Sequence, residues 1–167
     1  MAPVSIRLAD ASDVQLLHHA IVAMARGMGS EARVTSSPDD LARYGFGDKP
    51  AFETLIAEIG GAFAGMCLYF RSFSTWRGRP GIYVQDIYVE PAFRGSRVGE
   101  RLLKAAAARA RENGAAYLRL SVDTANLGAQ NFYGCLGIEW SQAEHIHAIY
   151  GDAFVALAEH EIDEERR

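Results

Sequence analysis

The sequence predicts one domain of the mixed α/β (α+β) class, spanning residues 1–167, and three observations carry that reading. Short alternating runs open the chain and are joined by a hairpin-type Gly60-Gly61. A strongly amphipathic helix at Val98–Glu112 lies between two further alternating runs. No repeat, low-complexity tract or linker divides the chain, and its length suits a single core. Antiparallel strands first, then strand–helix–strand–helix, describe a mixed sheet.

Val4 to Leu8 alternates and reads as a strand. Ser12 with Gln15 three positions on has the spacing of a capping box, and Val14, Leu17, Ile21 and Met24 then share one helical face. From Gly27 to Pro50 the composition is that of a loop, with one short helix expected at Pro38 to Tyr44. Phe52 to Ile59 and Ala62 to Phe70 form the arms of a hairpin, and Arg71 to Pro80 reads as a loop carrying Trp76. Gly81 to Val89 is the next strand, ended by Pro91. In the long helix Leu102, Leu103, Ala106 and Ala110 share a face, with Gly114 past its end. Tyr117 to Val122 is read as a strand, Gly128 to Leu136 as a short helix stopped by Gly137, and His145 to Tyr150 as a last strand. Asp152 to Ala158 has helical composition, and a charged, frayed end follows.

Composition narrows the partners. Hydrophobic residues are 49% and charged residues 23% of the chain, with a net charge of −4 and no basic stripe, which argues against nucleic acid. No run has the length of a membrane span and no targeting signal opens the chain, so a cytoplasmic, membrane-free protein is expected. Cys67 and Cys135 sit in apolar runs and fit no metal spacing. His145 and His147 share a strand face without an evident third ligand, so no metal is expected.

The stretch QDIYVEPAFRGSRVGERLL, Gln85 to Leu103, carries the chemistry. A strand runs into a turn that opens a helix, whose first N–H groups are unpaired and whose dipole favours an anion. Gly95 and Gly99 allow close approach to the backbone, and Arg94, Arg97 and Arg101 can add charge-assisted contacts to phosphate oxygens. The run contains neither GK[ST] nor GxGxxG, so it matches neither of the common nucleotide loops. By itself it also reads as a tight turn with exposed arginines.

This stretch resembles motif A of the GNAT acetyltransferase superfamily, and Val122, Asn126, Phe132, Tyr133 and Gly137 resemble the remainder of that pattern. FSTWRGRPGIYVQDIYVEPAFRG and the terminal Tyr150-Gly151-Asp152-Ala153 are similar to the diamine and thialysine acetyltransferase branch. The resemblance covers nearly the whole chain. It implies a mainly antiparallel sheet with a splayed parallel strand pair, acetyl-CoA as cosubstrate, a small-molecule primary amine as acceptor, direct transfer in a ternary complex and a homodimer. It places the pantetheine arm on the backbone of Ile87, Tyr88 and Val89, and the pyrophosphate on the amides of Arg94, Gly95, Ser96, Arg97, Val98 and Gly99. Tyr133 becomes the general acid, a phenol able to protonate a departing thiolate. Asn126 either bonds the cofactor arm or caps the following helix. Trp76 lies on a lid-like loop over the acceptor, where the bland alternative is an anchored surface loop.

Two positions depart from the resemblance. Gln85 stands where the polyamine enzymes carry a glutamate base; glutamine can position water but accepts no proton. Asp86 beside it points to the opposite face of a regular strand, unless a bulge reorients it toward the acceptor. Arg97 stands where glycine is usual, and helical or bridging dihedrals are expected there, because positive φ would strain an arginine. The rival readings are a non-catalytic acyl-CoA sensor or scaffold, a protein N-acetyltransferase, and a plain interaction domain. The last leaves Arg94-Gly95 and Phe132-Tyr133 unexplained.

Overall fold

The computed structural model describes residues 2–159, which form two compact units, one ending at Asn126 and one beginning at Leu127. The first holds a five-stranded sheet in chain order: β1 (Val4–Leu8), β2 (Glu53–Ile59), β3 (Ala62–Ser74), β4 (Arg79–Val89) and β5 (Leu118–Leu120). The first four strands pair antiparallel, and β4 with β5 is parallel. Helices α1 (Val14–Gly27), α2 (Pro38–Gly45) and α3 (Val98–Glu112) complete this unit. The expected mixed sheet with flanking helices is what forms.

The helices begin where local chemistry lets them. A capping box precedes α1, but it is built by Asp10 and Asp13 rather than Ser12 and Gln15. Asp10 accepts the Ser12 N–H, and the Asp13 carboxylate accepts the Asp10 N–H at 2.8 Å. Asp13 also receives both guanidinium arms of Arg7 at 2.7 and 2.8 Å, a fork that ties β1 to the start of α1. That hydrogen bonding holds the Asp13 carboxyl below its ordinary range. At α2, Ser37 and Asp40 form a second capping box with Pro38 in the first turn.

One sheet face packs against α1 and α2. Leu17 and Ala20 of α1 and Leu41 of α2 meet Ile56, Met66 and Tyr88, which the register places in one row across β2, β3 and β4. Leu17, Ile56 and Met66 are fully buried, each worth about 1.5–3 kcal/mol of transfer free energy. The other face packs against α3. There Gly65 is required: a Cβ would lie 2.4 Å from the Tyr88 carbonyl oxygen and 3.3 Å from Val98 Cγ1. At the first hairpin, Gly60 and Gly61 have φ of 59° and 80°, as a two-residue turn demands.

Several expectations are corrected. Arg71–Pro80 is not a loop: β3 runs to Ser74 and β4 starts at Arg79, leaving only 75–78 as the turn. The two strands pair throughout this extension, Phe73 opposite Pro80 and Ser74 opposite Arg79. Tyr117–Val122 yields only three strand residues. In the second unit α4 (Leu127–Cys135) and α5 (Gly151–Glu159) form close to the expected bounds. Residues 145–150 do not form a strand, because alternation without a neighbouring strand gives the backbone no ladder to join.

Candidate active site

The centre of the site is an irregularity in β4. Val84 pairs with Tyr69 and Asp86 with Leu68, so Gln85 is an extra residue with no partner on β3. This bulge resets the alternation. Before it, Val84 shares the α3 face with Tyr69, whose hydroxyl donates to Glu53 beside Arg109 of α3. After it, Asp86 lies on the opposite face with Leu68, in line with Met66 and Tyr88. The reorientation considered for Asp86 is thus present: the bulge places it on the face of Leu68, Met66 and Tyr88. Gln85 is exposed. Burial pushes the Asp86 carboxyl from its ordinary 3.8 up to about 6.

On the same face, the neighbouring row carries Phe70 and Tyr83, stacked with ring centroids 5.1 Å apart. The Tyr83 hydroxyl lies 2.6 Å from Ser121 Oγ. An aromatic pair beside a half-buried carboxylate is an arrangement that suits an alkyl ammonium. The sequence reading missed Phe70 here, since it becomes a neighbour of Asp86 only through the bulged register.

The bulge also marks where β4 and β5 part. Their parallel pairing covers Ile82 with Leu118, Tyr83 with Arg119 and Val84 with Leu120, and ends there. The Glu90 N–H bonds the Ala64 carbonyl on β3 at 2.9 Å. By alternation, Ile87 and Val89 turn their N–H and C=O groups to the other edge, past the end of the β5 ladder. Tyr88 sits between them with its side chain buried in the α1 core. Past Val84, this edge of β4 therefore turns the backbone groups of Ile87 and the Val89 N–H away from β3, beyond the last β5 partner.

This edge of β4 leads to the turn before α3. Arg94 N–H donates to the Pro91 carbonyl and Ser96 N–H to the Phe93 carbonyl, both at 3.3 Å, and Gly95 has φ of 80°. Arg97 has φ 60° and ψ 21°, which corrects the expectation of helical or bridging dihedrals. A left-handed residue followed by right-handed Val98 makes successive N–H groups converge, a nest for an anion. The first bond closing α3 is Arg101 N–H to Arg97 C=O. The amides of Arg97, Val98 and Gly99 precede it and face the helix mouth. Arg94 Nε reaches back to the Val89 carbonyl at 3.3 Å.

The remaining expected residues fall at the ends of the map. Trp76, at the apex of the β3–β4 hairpin, is 99% exposed. Asn126 closes the first unit, its N–H donating to the Asp123 carbonyl at 2.9 Å. In the second unit Tyr133 on α4 is buried, with the Phe132 ring tilted against it at 5.4 Å. Gly137, φ 75°, ends that segment as expected. Among the described residues no group of three or more His, Cys, Asp or Glu side chains is placed to hold a metal, and no helix is long and apolar enough to cross a membrane.

Comparison with known proteins bears on the family and the fold. The model of the acetyltransferase (GNAT) family matches residues 17–138. A thialysine N-epsilon-acetyltransferase of Bos taurus is 36% identical over 169 residues, covering 95% of this chain and 99% of the relative. A shorter likeness, 38% over 72 residues, covers 39% of this chain and 10% of a human spermidine/spermine N(1)-acetyltransferase-like protein 1. Among solved structures, an integron cassette protein of V. cholerae superposes with a TM-score of 0.79 at 21% identity, covering 94% of this chain and 98% of that one. Likeness at that identity speaks for the fold, whereas the family match and the full-length relative speak for descent and chemistry: the chain belongs to the GNAT family and is an acetyltransferase.

Proposed function

We propose that this enzyme transfers the acetyl group of acetyl-CoA to a primary amine of a small molecule, such as a diamine or a lysine-like amino acid, by direct attack in a ternary complex. One observation carries the reading: at the bulge of Gln85 the β4–β5 pairing ends and Asp86 comes onto the face beside Phe70 and Tyr83. Acetyl-CoA supplies an activated acyl group as a thioester. The residues present suit it, with the backbone groups of Ile87 and the Val89 N–H turned away from β3 along the pantetheine path and the Arg97–Gly99 turn for its pyrophosphate.

Each remaining role belongs to the chain. Asp86, half ionised near pH 6, accepts a proton from the arriving ammonium so that the nitrogen lone pair is free to attack. Gln85 orders a water at the bulge. The Val89 N–H, turned away from β3, polarises the acyl carbonyl. As the new carbon–nitrogen bond forms and the carbon–sulfur bond breaks, the nitrogen gives its second proton to water, the Tyr133 hydroxyl protonates the departing sulfur, and solvent returns a proton to the phenol. Asn126 orients the pantetheine arm, and Trp76 screens the acceptor from water. The relatives named for thialysine acetylation support an amine at the end of a lysine-like chain. The free thiols of Cys67 and Cys135 accord with a cytoplasmic setting.

A homodimer completes the proposal. In the second unit Trp140, Ile146, Tyr150, Phe154 and Leu157 are each more than half exposed, and α5 buries no residue. Apolar surface of that kind favours association.

The test is thiol release by the full chain with acetyl-CoA across thialysine, lysine, diamines and a peptide with a free N-terminus. Turnover on the small amines supports the proposal. Turnover on the peptide alone replaces it with a protein acetyltransferase. Binding of CoA without turnover on any amine replaces it with a non-catalytic holder.

A further inference from the structure

The strand β3 outruns its neighbour. β2 begins at Glu53, opposite Tyr69, whereas β3 continues to Ser74. Past Tyr69 one edge of β3 therefore has no strand beside it, and two hydrogen bonds show which backbone groups point there. Ala9 N–H reaches the Thr54 carbonyl at 2.8 Å, so Thr54 faces β1 and Glu53 faces Tyr69. Ile82, opposite Arg71, gives its N–H to the Tyr117 carbonyl at 3.1 Å, on the far side of β4. By alternation the N–H and C=O of Arg71 point to the edge that β2 has left.

A cleft of about 360 Å³ lies along that edge, between residues 50–52 and the stretch from Tyr69 to Arg71. Small-molecule sites occupy about 300–1,000 Å³. Pro50, Ala51 and Phe52 make one wall apolar, and two opposite charges, Glu53 and Arg71, border the same space. No ion pair joins those two among the described residues.

Glu53 engages one oxygen only. Its Oε2 accepts Arg109 Nε at 2.7 Å and the Tyr69 hydroxyl at 3.3 Å, which fixes the carboxylate at the start of β2. Burial, with the Glu53 charge beside it, pushes that phenol up to about 12, so it stays protonated and donating. Among the described residues Oε1 takes no hydrogen bond, and the exposed Arg71 guanidinium makes none. The pair with Arg109 explains Oε2 and leaves Oε1 and Arg71 without a task. An idle acceptor, an idle fork of donors and an outward N–H around one apolar cleft match the two ends of an α-amino acid.

We propose that this cleft binds a free α-amino acid with an apolar side chain, its ammonium on Glu53 Oε1, its carboxylate on the guanidinium and N–H of Arg71, and its side chain against Pro50 and Phe52. Glu53 and Arg71 stand on the α3 face with Tyr69, whereas Asp86 stands on the opposite one. The site is separate from the acceptor face and does not rest on the acetyl-transfer reading.

The experiment is calorimetry with L-phenylalanine on the full unsubstituted chain, R71Q, E53Q and D86N, with melting of each. Its two halves, phenethylamine and 3-phenylpropionate, are titrated into D86N, where the acceptor face has lost its carboxylate. L-phenylalanine is expected to bind the unsubstituted chain with a Kd of about 0.1–1 mM, as its size allows. D86N binds it unchanged, and each half binds at least about tenfold more weakly, since one charge of the site is then left without its partner. R71Q weakens L-phenylalanine about tenfold or more with an unchanged melting temperature, because that side chain is exposed and bonds nothing among the described residues. E53Q weakens it by a similar factor, and melts lower through the lost Arg109 pair. No heat with L-phenylalanine at several millimolar overturns the proposal. So does a half that binds as tightly as the whole, or binding that R71Q leaves intact. Binding that D86N abolishes puts the amino acid on the acceptor face and overturns it as well.

Discussion

Replacing Asp86 by asparagine separates the chemistry from the fold, because the two respond in opposite directions. Burial lifts this carboxyl from 3.8 to about 6, a difference worth about 3 kcal/mol against the ionised form. The sign follows from linkage. Between pH 4 and 6 the folded chain holds a proton that the unfolded chain has released, so stability falls as pH rises through that window. Above about 6 the full cost is borne. The D86N substitution removes the charge, at the expense of a buried amide with its own demand for partners, about 1–3 kcal/mol if unmet. The net expectation is a gain of about 0–2 kcal/mol at pH 8, roughly 0–8 °C in Tm, turning at pH 4 into a loss of about 1–3 kcal/mol once the relieved charge no longer offsets the amide. Activity moves the other way. Loss of a general base lowers kcat about 10²–10⁴-fold, and the acidic limb near pH 6 in the unsubstituted profile disappears. Scanning fluorimetry and steady-state rates across pH 4–9 read both quantities on one preparation. A D86N variant within about threefold of the original kcat, with the limb still in place, would refute the assignment of Asp86 as base.

Tyr133→Phe should lower kcat at neutral pH by about 10²-fold or more with little change in acetyl-CoA affinity, seen by combining rates with calorimetry. An unchanged kcat removes the role of Tyr133. Gly65→Ala places a methyl 2.4 Å from the Tyr88 carbonyl oxygen, against backbone that cannot swing aside, and should cost about 1–3 kcal/mol in urea unfolding while weakening CoA binding through displaced Val89 and Val98. A neutral outcome would mean that β3 and β4 separate freely. The full chain should scatter light as a dimer, and the double change Phe154→Asp with Leu157→Asp should shift it to a monomer. A monomeric parent would contradict the proposed assembly.

What could be read from the residues, and what could not, follows the range of each signal. α3 and the β2–β3 hairpin were legible because periodicity and Gly-Gly turn chemistry are local. The extension of β3 and β4 to Ser74 and Arg79 was not: in a two-stranded ribbon past the end of β2, Arg71 and Phe73 are mostly exposed and no apolar face marks the strand. HIHAIY shows the converse, alternation with no partner strand to make it count. In the candidate site, the strand–turn–helix read from the glycines is what forms, with Gly95 at φ 80° before α3. The left-handed Arg97 was not foreseen, since its residue type argues against its dihedral. The bulge left one trace, the adjacent polar pair Gln85-Asp86 inside an apolar strand, but only the register against β3 shows which of the two is turned.

Gln85 also makes the sheet a matter of length. β4 carries one residue more than the stretch of β3 it lies against, and that slack appears just where β5 lets go. Deleting the residue would leave Asp86 facing away from the Val84 side, because the two would then alternate as ordinary neighbours do. It would also let the ladder zip onward and draw β5 alongside Ile87 and Val89. The shorter chain would fold into a more regular sheet whose slot for a ligand had been hydrogen-bonded shut. In this enzyme the gap between two strands is kept open by a counting error that the fold never corrects.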